Sequence, residues 1–270
     1  MMTNKLSQEE IRQVQMSILD EIVRICEENH LRYYLAYGSL LGAVRHKGYI
    51  PWDDDMDIAM QREDYETLLA ILKRKDKSHS EWISVIDDTA DDYFYPFAKA
   101  IDNRTEIKSD RHKGYQGIWI DIFPIDGLPK TLFEAKAFIF FCSFLRIVGL
   151  AMSTDFSSKT LSSWALFYKR IFNFLATIIG KKRVCRFVER VFHRYRIENS
   201  ERVAILFSGH NFDAIFNKTD LLPQATYSFE GKNYTSFKNF DLYLRQLYGN
   251  YRELPPEEKR RSHNFEAWWK

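Results

Sequence analysis

An acidic cluster that follows a short Gly-Ser turn constrains this chain more than any other stretch of its sequence. Residues 35–60 run Leu-Ala-Tyr-Gly-Ser-Leu-Leu-Gly-Ala-Val-Arg-His-Lys-Gly-Tyr-Ile-Pro-Trp-Asp-Asp-Asp-Met-Asp-Ile-Ala-Met. Side chains alternate between the two faces of a β-strand, so a strand through the cluster would point Asp55 and Asp57 to the same face. Two neighbouring carboxylates repel each other unless a cation lies between them, and oxygen ligands suit Mg²⁺ or Mn²⁺. The stretch therefore predicts a metal site.

The segment before the acids predicts a phosphate-binding site. A short helix is expected to begin at the turn formed by Gly38 and Ser39, and the free N–H groups at a helix N-terminus bind phosphate. Arg45, His46 and Lys47 follow it and would add cationic contacts, with a solvated surface loop as the alternative. A metal site beside a phosphate site is the minimal equipment for phosphoryl or nucleotidyl transfer.

A third carboxylate stands in a later apolar run. Residues 118–123 are β-branched and aromatic apart from Asp121, which predicts a buried strand that Pro124 ends. An acid buried without a partner is costly, and a metal ion would remove that cost. The alternative is that residues 53–57 form a solvated acidic loop and that Asp121 is a capped core carboxylate.

The composition excludes several classes of protein. The chain has 270 residues, a formal net charge of +2 and 45% hydrophobic residues, so it is long enough for a sizeable core and too weakly charged to indicate nucleic acid. Its N-terminus lacks a signal-peptide pattern, and its 3 cysteines show no metal-ligand spacing, which favours a reducing compartment. The longest apolar run, residues 137–152, contains Arg146 and falls short of the ~20 residues that span a bilayer. A cytoplasmic protein is expected.

The order of predicted elements indicates an α+β fold, a mixed β-sheet flanked by helices with an additional helical subdomain. We expect a catalytic core in residues 1–129, a helical insertion or subdomain in 130–217, and a C-terminal hairpin, helix and tail in 218–270 that pack back on the core. Between Lys159 and Arg202 there are 11 Lys and Arg against 3 Glu. This helical region is either an ordinary subdomain with a basic solvated face or a surface that contacts anionic lipid. The second interpretation would place the protein at the inner face of the plasma membrane.

Three blocks of the sequence resemble one protein family. Residues 38–57, residues 119–124 and residues 248–259 with His263 are similar to the signature blocks of the LicD family. The resemblance implies a nucleotidyltransferase-like core that moves phosphocholine from CDP-choline to a sugar hydroxyl of a cell-surface glycan, such as teichoic acid, lipopolysaccharide or capsule. Relatives in the fukutin-related branch move ribitol phosphate.

The resemblance also assigns roles to the acidic residues and to the turn. Asp55 and Asp57 would hold the metal ions, and Asp121 would complete the metal site or act as the base on the acceptor hydroxyl. Strand parity makes Asp53, and not Asp54, the additional ligand. Donor phosphate would be bound by Gly38 and Ser39.

Other candidates lie close to these blocks. Lys99, a lone cation in an aromatic segment, would reach the phosphates or extend to solvent. A choline head group needs an aromatic cage, because a quaternary ammonium donates no hydrogen bonds. The candidates for the cage are Trp52, which is the first choice, Tyr95 and Trp119; each is otherwise a core aromatic. Lys259 and His263 in the tail would fold back over the site.

The carboxylate pattern leaves rival functions open. Transfer of another phospho-alcohol, such as ribitol or glycerol phosphate, or of a nucleotide itself, would use the same metal ligands. A membrane-peripheral scaffold is the non-enzymatic alternative. Such a scaffold would have no need of Asp55, Asp57 and Asp121 together, so the sequence favours an enzyme.

Overall fold

A mixed β-sheet flanked by helices forms the larger part of the molecule, which confirms the predicted α+β fold. The computed structural model describes residues 5–74, 79–87, 89–90, 93, 95–108, 117–153, 163–206, 215–260 and 265–270. The strands are β1 (Tyr33–Leu35), β2 (Asp57–Gln61), β3 (Ile83–Ile86), β4 (Ala98–Asp102), β5 (Thr105–Lys108), β6 (Trp119–Gly127), β7 (Arg202–Ala204), β8 (Phe216–Asn217), β9 (Gln224–Phe229), β10 (Lys232–Phe237) and β11 (Glu266–Trp269). The helices are α1 (Gln8–Glu28), α2 (Tyr37–Arg45), α3 (Arg62–Leu72), α4 (Leu132–Ser153), α5 (Ser163–Ile179), α6 (Lys181–Phe192), α7 (Lys218–Leu221) and α8 (Phe240–Tyr248).

The centre of the sheet is a parallel pair of strands. The order is β3-β4-β6-β2-β1-β10-β9, with β7 added at the far end of β6 and β8 paired to β7. β2 and β6 run parallel, and their neighbours β1 and β4 are antiparallel to them. Because β2 and β6 run in the same direction, their first residues lie together at one edge of the sheet.

Both central strands are covered on their two faces. Ile58, Ala59 and Met60 of β2 and Ile122 of β6 are fully buried, as is usual for parallel strands with helices on both sides. The predicted capping box, in which Ser7 and Glu10 bond each other's backbone N–H groups, is confirmed at the start of α1. This helix packs its apolar side into the same core.

The prediction that Pro124 ends the strand is wrong. β6 continues through it to Gly127, and Pro124 lies opposite Met60 of β2. The antiparallel strand β4 begins at Ala98, opposite Ile122 of β6. Pro124 lies beyond this pair, where one side of β6 is no longer paired with β4. A proline, which lacks a backbone N–H, is tolerated at such an unpaired edge.

The predicted hairpin around Glu230 and Gly231 is confirmed as β9 and β10. β10 pairs with β1, where Leu35 lies opposite Ser236 and accepts a hydrogen bond from its hydroxyl. The predicted short helix is confirmed as α8, and it ends at Gly249, whose positive φ of 64° suits glycine. The C-terminal segment therefore extends the sheet beside the first strand.

The helices α4, α5 and α6, called the helical subdomain below, follow the far end of β6. One side of α4 is buried with residues of α6 and of the segments before and after the subdomain. The cluster consists of Leu128, Ala135, Ile139, Cys142, Leu145, Val188, Phe192, Ala204 and Leu206. Leu132–Met152 is also long and apolar enough to cross a membrane by length and composition, although 39% of that stretch is buried in the protein. The helix starts five residues before the apolar run read from the sequence, which is why the run alone looked too short.

Candidate active site

The acidic residues lie at the end of the sheet at which the central strands β2 and β6 begin. Asp57 is the first residue of β2 and lies directly opposite Asp121 of β6. Neighbouring strands are about 4.8 Å apart, so their same-face side chains are adjacent. The backbone fixes this arrangement, since the Asp121 N–H donates to the carbonyl of Met56 at 2.8 Å. The structure thus brings together two of the predicted carboxylates from strands that are 64 positions apart in the sequence.

The other three aspartates lie between the turn of residues 50–53, which the Asp53 N–H closes on the carbonyl of Ile50, and the start of the strand; this segment is called the acidic turn below. Asp53, Asp54 and Asp55 each place a carboxylate oxygen within 4.8 Å of the others. β2 begins only at Asp57, so strand parity does not apply to this turn. The argument that set Asp54 apart from Asp53 is therefore wrong: Asp54 is 8% exposed and belongs to the same group.

Helix α1 holds the backbone of this acidic turn. The guanidinium of Arg12 donates to the carbonyl of Asp53 at 2.9 Å, and the side-chain amide of Gln15 donates to the carbonyl of Asp54 at 3.0 Å. Both contacts use backbone oxygens and leave the carboxylates to face one another. The acids are therefore preorganised by a helix that lies far from them in the sequence.

Gly38 and Ser39 lie in the first turn of α2, against the acids. A Cβ on Gly38 would come within 2.6 Å of Asp53 Oδ2, so glycine is what allows the carboxylate to approach the helix N-terminus. The buried hydroxyl of Ser39 accepts a hydrogen bond of 2.8 Å from the Asp57 N–H. These two residues support the acidic site directly. Their predicted contact with donor phosphate stays a prediction.

Lys99 lies opposite Asp121 on β4 and forms a salt bridge with it. Its ammonium lies 4.7 Å from the ring centre of Trp119 and 5.4 Å from that of Phe97. Lys99 is only 3% exposed, so the alternative in which it extends to solvent is wrong. A buried cation thus partly balances the carboxylates.

The single positive charge of Lys99 does not neutralise all the carboxylates of the acidic site. The pKa of Asp57 is held well above its usual range, first by burial and then by the negative charges of Asp55, Asp121 and Asp53, while Lys99 acts in the opposite direction. A bound cation would favour the ionised form of Asp57. The donor set consists of carboxylate oxygens, which fits Mg²⁺ or Mn²⁺.

The predicted basic group divides into different environments. Arg45 donates to the carbonyl of Tyr251 at 2.8 Å and to His46 Nε2 at 2.9 Å, so it ties α2 to the C-terminal segment. Burial, followed by the charge of Arg45, lowers the pKa of His46, in keeping with a neutral ring that accepts this bond. Lys47 is exposed in the loop, as the solvated alternative proposed.

A cavity of about 580 Å³ opens beside the acids. Gly38, Arg45, Trp52 and Asp53 line one side of it, and residues 248–256 of the C-terminal segment supply the other. The cavity reaches the acidic turn through Asp53, and it has room for a small ligand.

Tyr248 lies at this boundary and was missed as a site residue. The residue is 37% exposed, while the surrounding protein, Tyr243 and the charges of Asp57, Asp53 and Asp55 raise the pKa of its hydroxyl above the usual range. The signal in the sequence is that Tyr248 opens the third block that resembles the family, residues 248–259, whereas the prediction named only Lys259 and His263 there. Of these, Lys259 ends a short 3₁₀ turn (Glu257–Lys259) and its side chain is not described. His263 lies outside the described residues.

The three candidate cage aromatics have different neighbours. Trp52 carries the guanidinium of Arg260 over its ring at 4.6 Å, and Trp119, which is 3% exposed, carries the Lys99 ammonium. Tyr95 is half-buried and packs against Tyr93 and Phe97, with ring centres 5.2 and 5.5 Å away. Cations of the protein itself therefore occupy a face of each tryptophan.

A mixed sheet that presents paired aspartates from adjacent parallel strands, beside a short helix and a cavity, defines a nucleotidyltransferase-like protein. Comparison with known families agrees, because residues 30–140 match the family model described as "LicD/FKTN/FKRP, nucleotidyltransferase domain". Residues 30–140, which include the acidic site, are therefore similar to the nucleotidyltransferase domain of the LicD family.

Two relatives show how far the similarity extends. The lipopolysaccharide cholinephosphotransferase LicD of Haemophilus influenzae is 28% identical over 264 residues, which cover 97% of this chain and 97% of that protein. The human ribitol 5-phosphate transferase FKRP is 49% identical over 43 residues, which cover 16% of this chain and 9% of that protein. The first similarity thus includes the helical subdomain, and the second is confined to a short segment.

Proposed function

We propose that this protein is a phosphotransferase that moves phosphocholine from CDP-choline to a sugar hydroxyl of a cell-surface glycan, with Mg²⁺ or Mn²⁺ as cofactor. The observation that carries the proposal is the acidic site, in which Asp57 and Asp121 lie side by side and Asp53, Asp54 and Asp55 adjoin them. Similarity to a cholinephosphotransferase along 97% of both chains supports the choice of donor.

Within the proposal, the acids act as the metal-binding group and the cavity receives the donor. Asp55 and Asp57 would hold the metal, with Asp53, Asp54 and Asp121 beside them. The metal would supply positive charge against the donor diphosphate. Arg45 lines the cavity next to Asp53 and would add a second cation to the phosphates.

The chemical step exchanges the phosphoanhydride bond of the donor for a phosphate ester bond to the acceptor. The acceptor oxygen forms a bond to the phosphorus that carries choline, the bond from that phosphorus to the CMP oxygen breaks, and CMP leaves with the electron pair. The acceptor proton passes to a carboxylate of the site, for which Asp121 is the candidate. Lys99, held in the site by Asp121, would lower the negative charge that the incoming donor meets.

A second candidate donor carries a phospho-alcohol whose alcohol head group is uncharged. Arg260 over Trp52 and Lys99 over Trp119 would disfavour a quaternary ammonium on those ring faces, because like charges repel. Ribitol or glycerol phosphate meets no such repulsion, and FKRP is similar over a short segment. If choline is the head group, Tyr95 replaces Trp52 as the first candidate for its cage.

The test is a donor screen by titration calorimetry and CMP release. The purified chain is titrated with CDP-choline, CDP-glycerol, CDP-ribitol and CTP, each with Mg²⁺ and with EDTA, and each mixture is then assayed for CMP and pyrophosphate after a glycan acceptor is added. Tight binding of CDP-choline that needs Mg²⁺, with release of CMP, is the expected result. Preference for CDP-ribitol or CDP-glycerol would move the assignment to the second candidate. Pyrophosphate release from a nucleoside triphosphate would instead indicate nucleotide transfer.

The acids are tested in the same assay. Asp55→Ala and Asp57→Ala should abolish turnover and Mg²⁺-dependent donor binding while the circular dichroism spectrum is retained. Glu28→Ala, an exposed acid at the end of α1, is the control and should behave like the wild type. Full activity in both aspartate variants would refute the assignment.

A further inference from the structure

The helical subdomain exposes a large apolar surface. Fourteen of the eighteen exposed large hydrophobic residues found among the described positions lie between Leu132 and Phe187, so the exposure is concentrated in these helices. The most exposed are Phe133 at 82%, Phe140 at 68%, Ile178 at 66% and Phe174 at 65%. Exposed apolar surface concentrated in one region of a protein usually marks an interaction site.

The exposed residues fall on one face of each helix. On α4 they include Phe133, Phe140, Phe144 and Ile147, and on α5 they include Phe167, Ile171, Phe174 and Ile178. Residues three, four, seven and eleven apart share a helix face. The opposite face of each helix is packed inside the protein: α4 buries Ala135, Ile139 and Cys142, and α5 buries Ala176.

Basic side chains accompany this surface. Lys182, Arg183, Arg186 and Arg190 are exposed on α6, and Arg194 follows them at the end of the helix. They share this helix with the exposed Phe187, while Cys185, Val188 and Phe192 face inward. An apolar face joined to a row of Lys and Arg is the pattern of segments that lie in the interface of a negatively charged bilayer.

We propose that the helical subdomain docks on the surface of an anionic lipid bilayer, with the exposed faces of α4 and α5 inserted among the acyl chains and the basic residues of α6 on the phosphate groups. The surplus of positive charge in this region also argues against a second copy of the same face, since two such surfaces would repel each other. A full crossing by α4 would remove Ala135, Ile139 and Cys142 from the cluster in which they are buried. The inferred contact is therefore peripheral.

The docking surface is separate from the acidic site. Asp121 and Gly127 lie on one strand, six residues apart, which places the start of the subdomain about 20 Å from the acids. Lipid binding should accordingly survive loss of activity. The Asp57→Asn variant is expected to bind vesicles as the wild type does, so failure of the proposed reaction and failure of this proposal are distinguishable.

The experiment is vesicle co-sedimentation of the full chain. One set of vesicles contains phosphatidylcholine only, and the other contains equal parts of phosphatidylcholine and phosphatidylglycerol. We expect the protein to bind the anionic vesicles at least about tenfold more strongly than the neutral vesicles. Binding to the anionic vesicles should fall as the salt concentration is raised. The Phe174→Ser/Ile178→Ser variant should lose about tenfold in partitioning by removing inserted side chains, and Arg186→Glu/Arg190→Glu should lose a similar amount.

Matched controls lie on the sheet core. Leu242→Ser, at a position 36% exposed on α8, and Lys238→Glu, at an exposed position after β10, should leave vesicle binding unchanged. The proposal is overturned if neither vesicle binds the wild type, or if the subdomain variants bind as the wild type does. It is also overturned if sedimentation velocity shows a dimer in the absence of lipid that Phe174→Ser/Ile178→Ser dissociates, because the surface would then belong to a second copy.

Discussion

The sheet core and the helical subdomain depart from the usual distribution of side chains in opposite ways: the core buries charged groups, and the subdomain exposes apolar ones. The core takes charged groups inside, with Asp57 8%, Lys99 3% and Asp126 1% exposed. The subdomain leaves phenylalanines outside, as at Phe133 and Phe140. Burial of charge and exposure of apolar surface both lower the stability of an isolated chain. Asp126 and Lys99 have partners within the protein, in Arg62 and Asp121. For the remaining carboxylates of the acidic site we propose a metal ion as the partner, and for the exposed face of the subdomain a bilayer.

The contrast between the two regions indicates what kind of binding partner suits each of them. In the core the excess is negative charge within a fixed pocket, and the pKa of Asp57 is raised by burial and by the neighbouring acids. In the subdomain the excess is apolar area with positive charge along its border. A small ion satisfies the first and an extended anionic surface satisfies the second.

The largest expected effect concerns the ion pair that lies between the two regions. Arg62 of α3 forms two hydrogen bonds of 2.7 Å with Asp126, and Asp126 pairs with Ala204 of β7 in the sheet. Asp126→Ala would leave the Arg62 charge buried without its partner and should lower the free energy of unfolding by about 3–5 kcal/mol. Urea denaturation followed by circular dichroism measures this loss.

The control for that ion pair is an exposed one. Glu28→Ala removes an ion pair with Arg24 whose side chains are 55% and 43% exposed, and it should change the free energy of unfolding by no more than about 1 kcal/mol. Equal losses in the two variants would contradict the idea that the core depends on buried charge. A second, separate transition in Asp126→Ala would show that the two regions unfold independently.

The next effect concerns the acidic site itself. Asp57→Asn removes a charge that we propose to bind the metal, and it should lower CMP release by at least about a hundredfold, the scale of one lost preorganised electrostatic contact. The same change should preserve or raise the stability of the metal-free protein, because it removes a buried charge that is repelled by Asp55 and Asp121. A loss of both activity and stability would mean that Asp57 is a structural residue.

The pH dependence of stability gives that prediction a sign. Burial and the neighbouring acids raise the pKa of Asp57 in the folded protein, so the folded state holds this proton more tightly than the unfolded state does. The contribution is fully present below pH about 4, the ordinary value for an aspartate, and is lost as the pH rises through the raised value. The difference in stability between the wild type and Asp57→Asn, measured in EDTA, should change in favour of the variant as the pH rises. A difference that is constant with pH would contradict the raised pKa.

The sequence predicted the parts of this architecture that rest on local pattern. The capping box of α1, the hairpin at Glu230 and Gly231, and the end of α8 at Gly249 follow from residues that are neighbours in the chain. Asp121 was joined to Asp57 through a family resemblance and the logic of a metal site. Its register opposite Asp57 came only from the structure.

The errors arose where long-range contacts decide. The parity argument assumed that β2 already includes Asp55, whereas Arg12 and Gln15 of α1 hold residues 53 and 54 in a turn. The sequence predicts a break at Pro124 because it does not show that β4 begins only opposite Ile122 and leaves the β4 side of Pro124 unpaired with that strand. The cations over Trp52 and Trp119 likewise come from distant segments, and they determine which aromatic faces remain for a ligand.

A smaller effect is expected at the residue that supports the acidic site from α2. Ser39→Ala removes the hydroxyl that accepts the Asp57 N–H and leaves that buried donor unpaired, which should reduce stability by about 1–3 kcal/mol. Activity should also fall, because the position of Asp57 is no longer fixed. Ser17→Ala is the control, since the Ser17 hydroxyl donates to the carbonyl of Gln13 within α1 on an exposed helix surface. Equal stability of the two variants would show that Ser39 does not position Asp57.

The smallest expected effect tests the comparison most directly, because it depends on whether the exposed phenylalanines of the subdomain are in contact with solvent in the absence of lipid. Phe140→Ser should change the free energy of unfolding by no more than about 0.5 kcal/mol, as expected for a surface site, since Phe140 is 68% exposed. Phe192→Ser in the same subdomain should cost several times as much, about 3 kcal/mol or more, because Phe192 is 1% exposed and packs in the α4–α6 cluster. Thermal and urea unfolding in lipid-free buffer measures both. If Phe140→Ser destabilises as strongly as Phe192→Ser, the face is already covered in solution by protein, and a bilayer is not its partner.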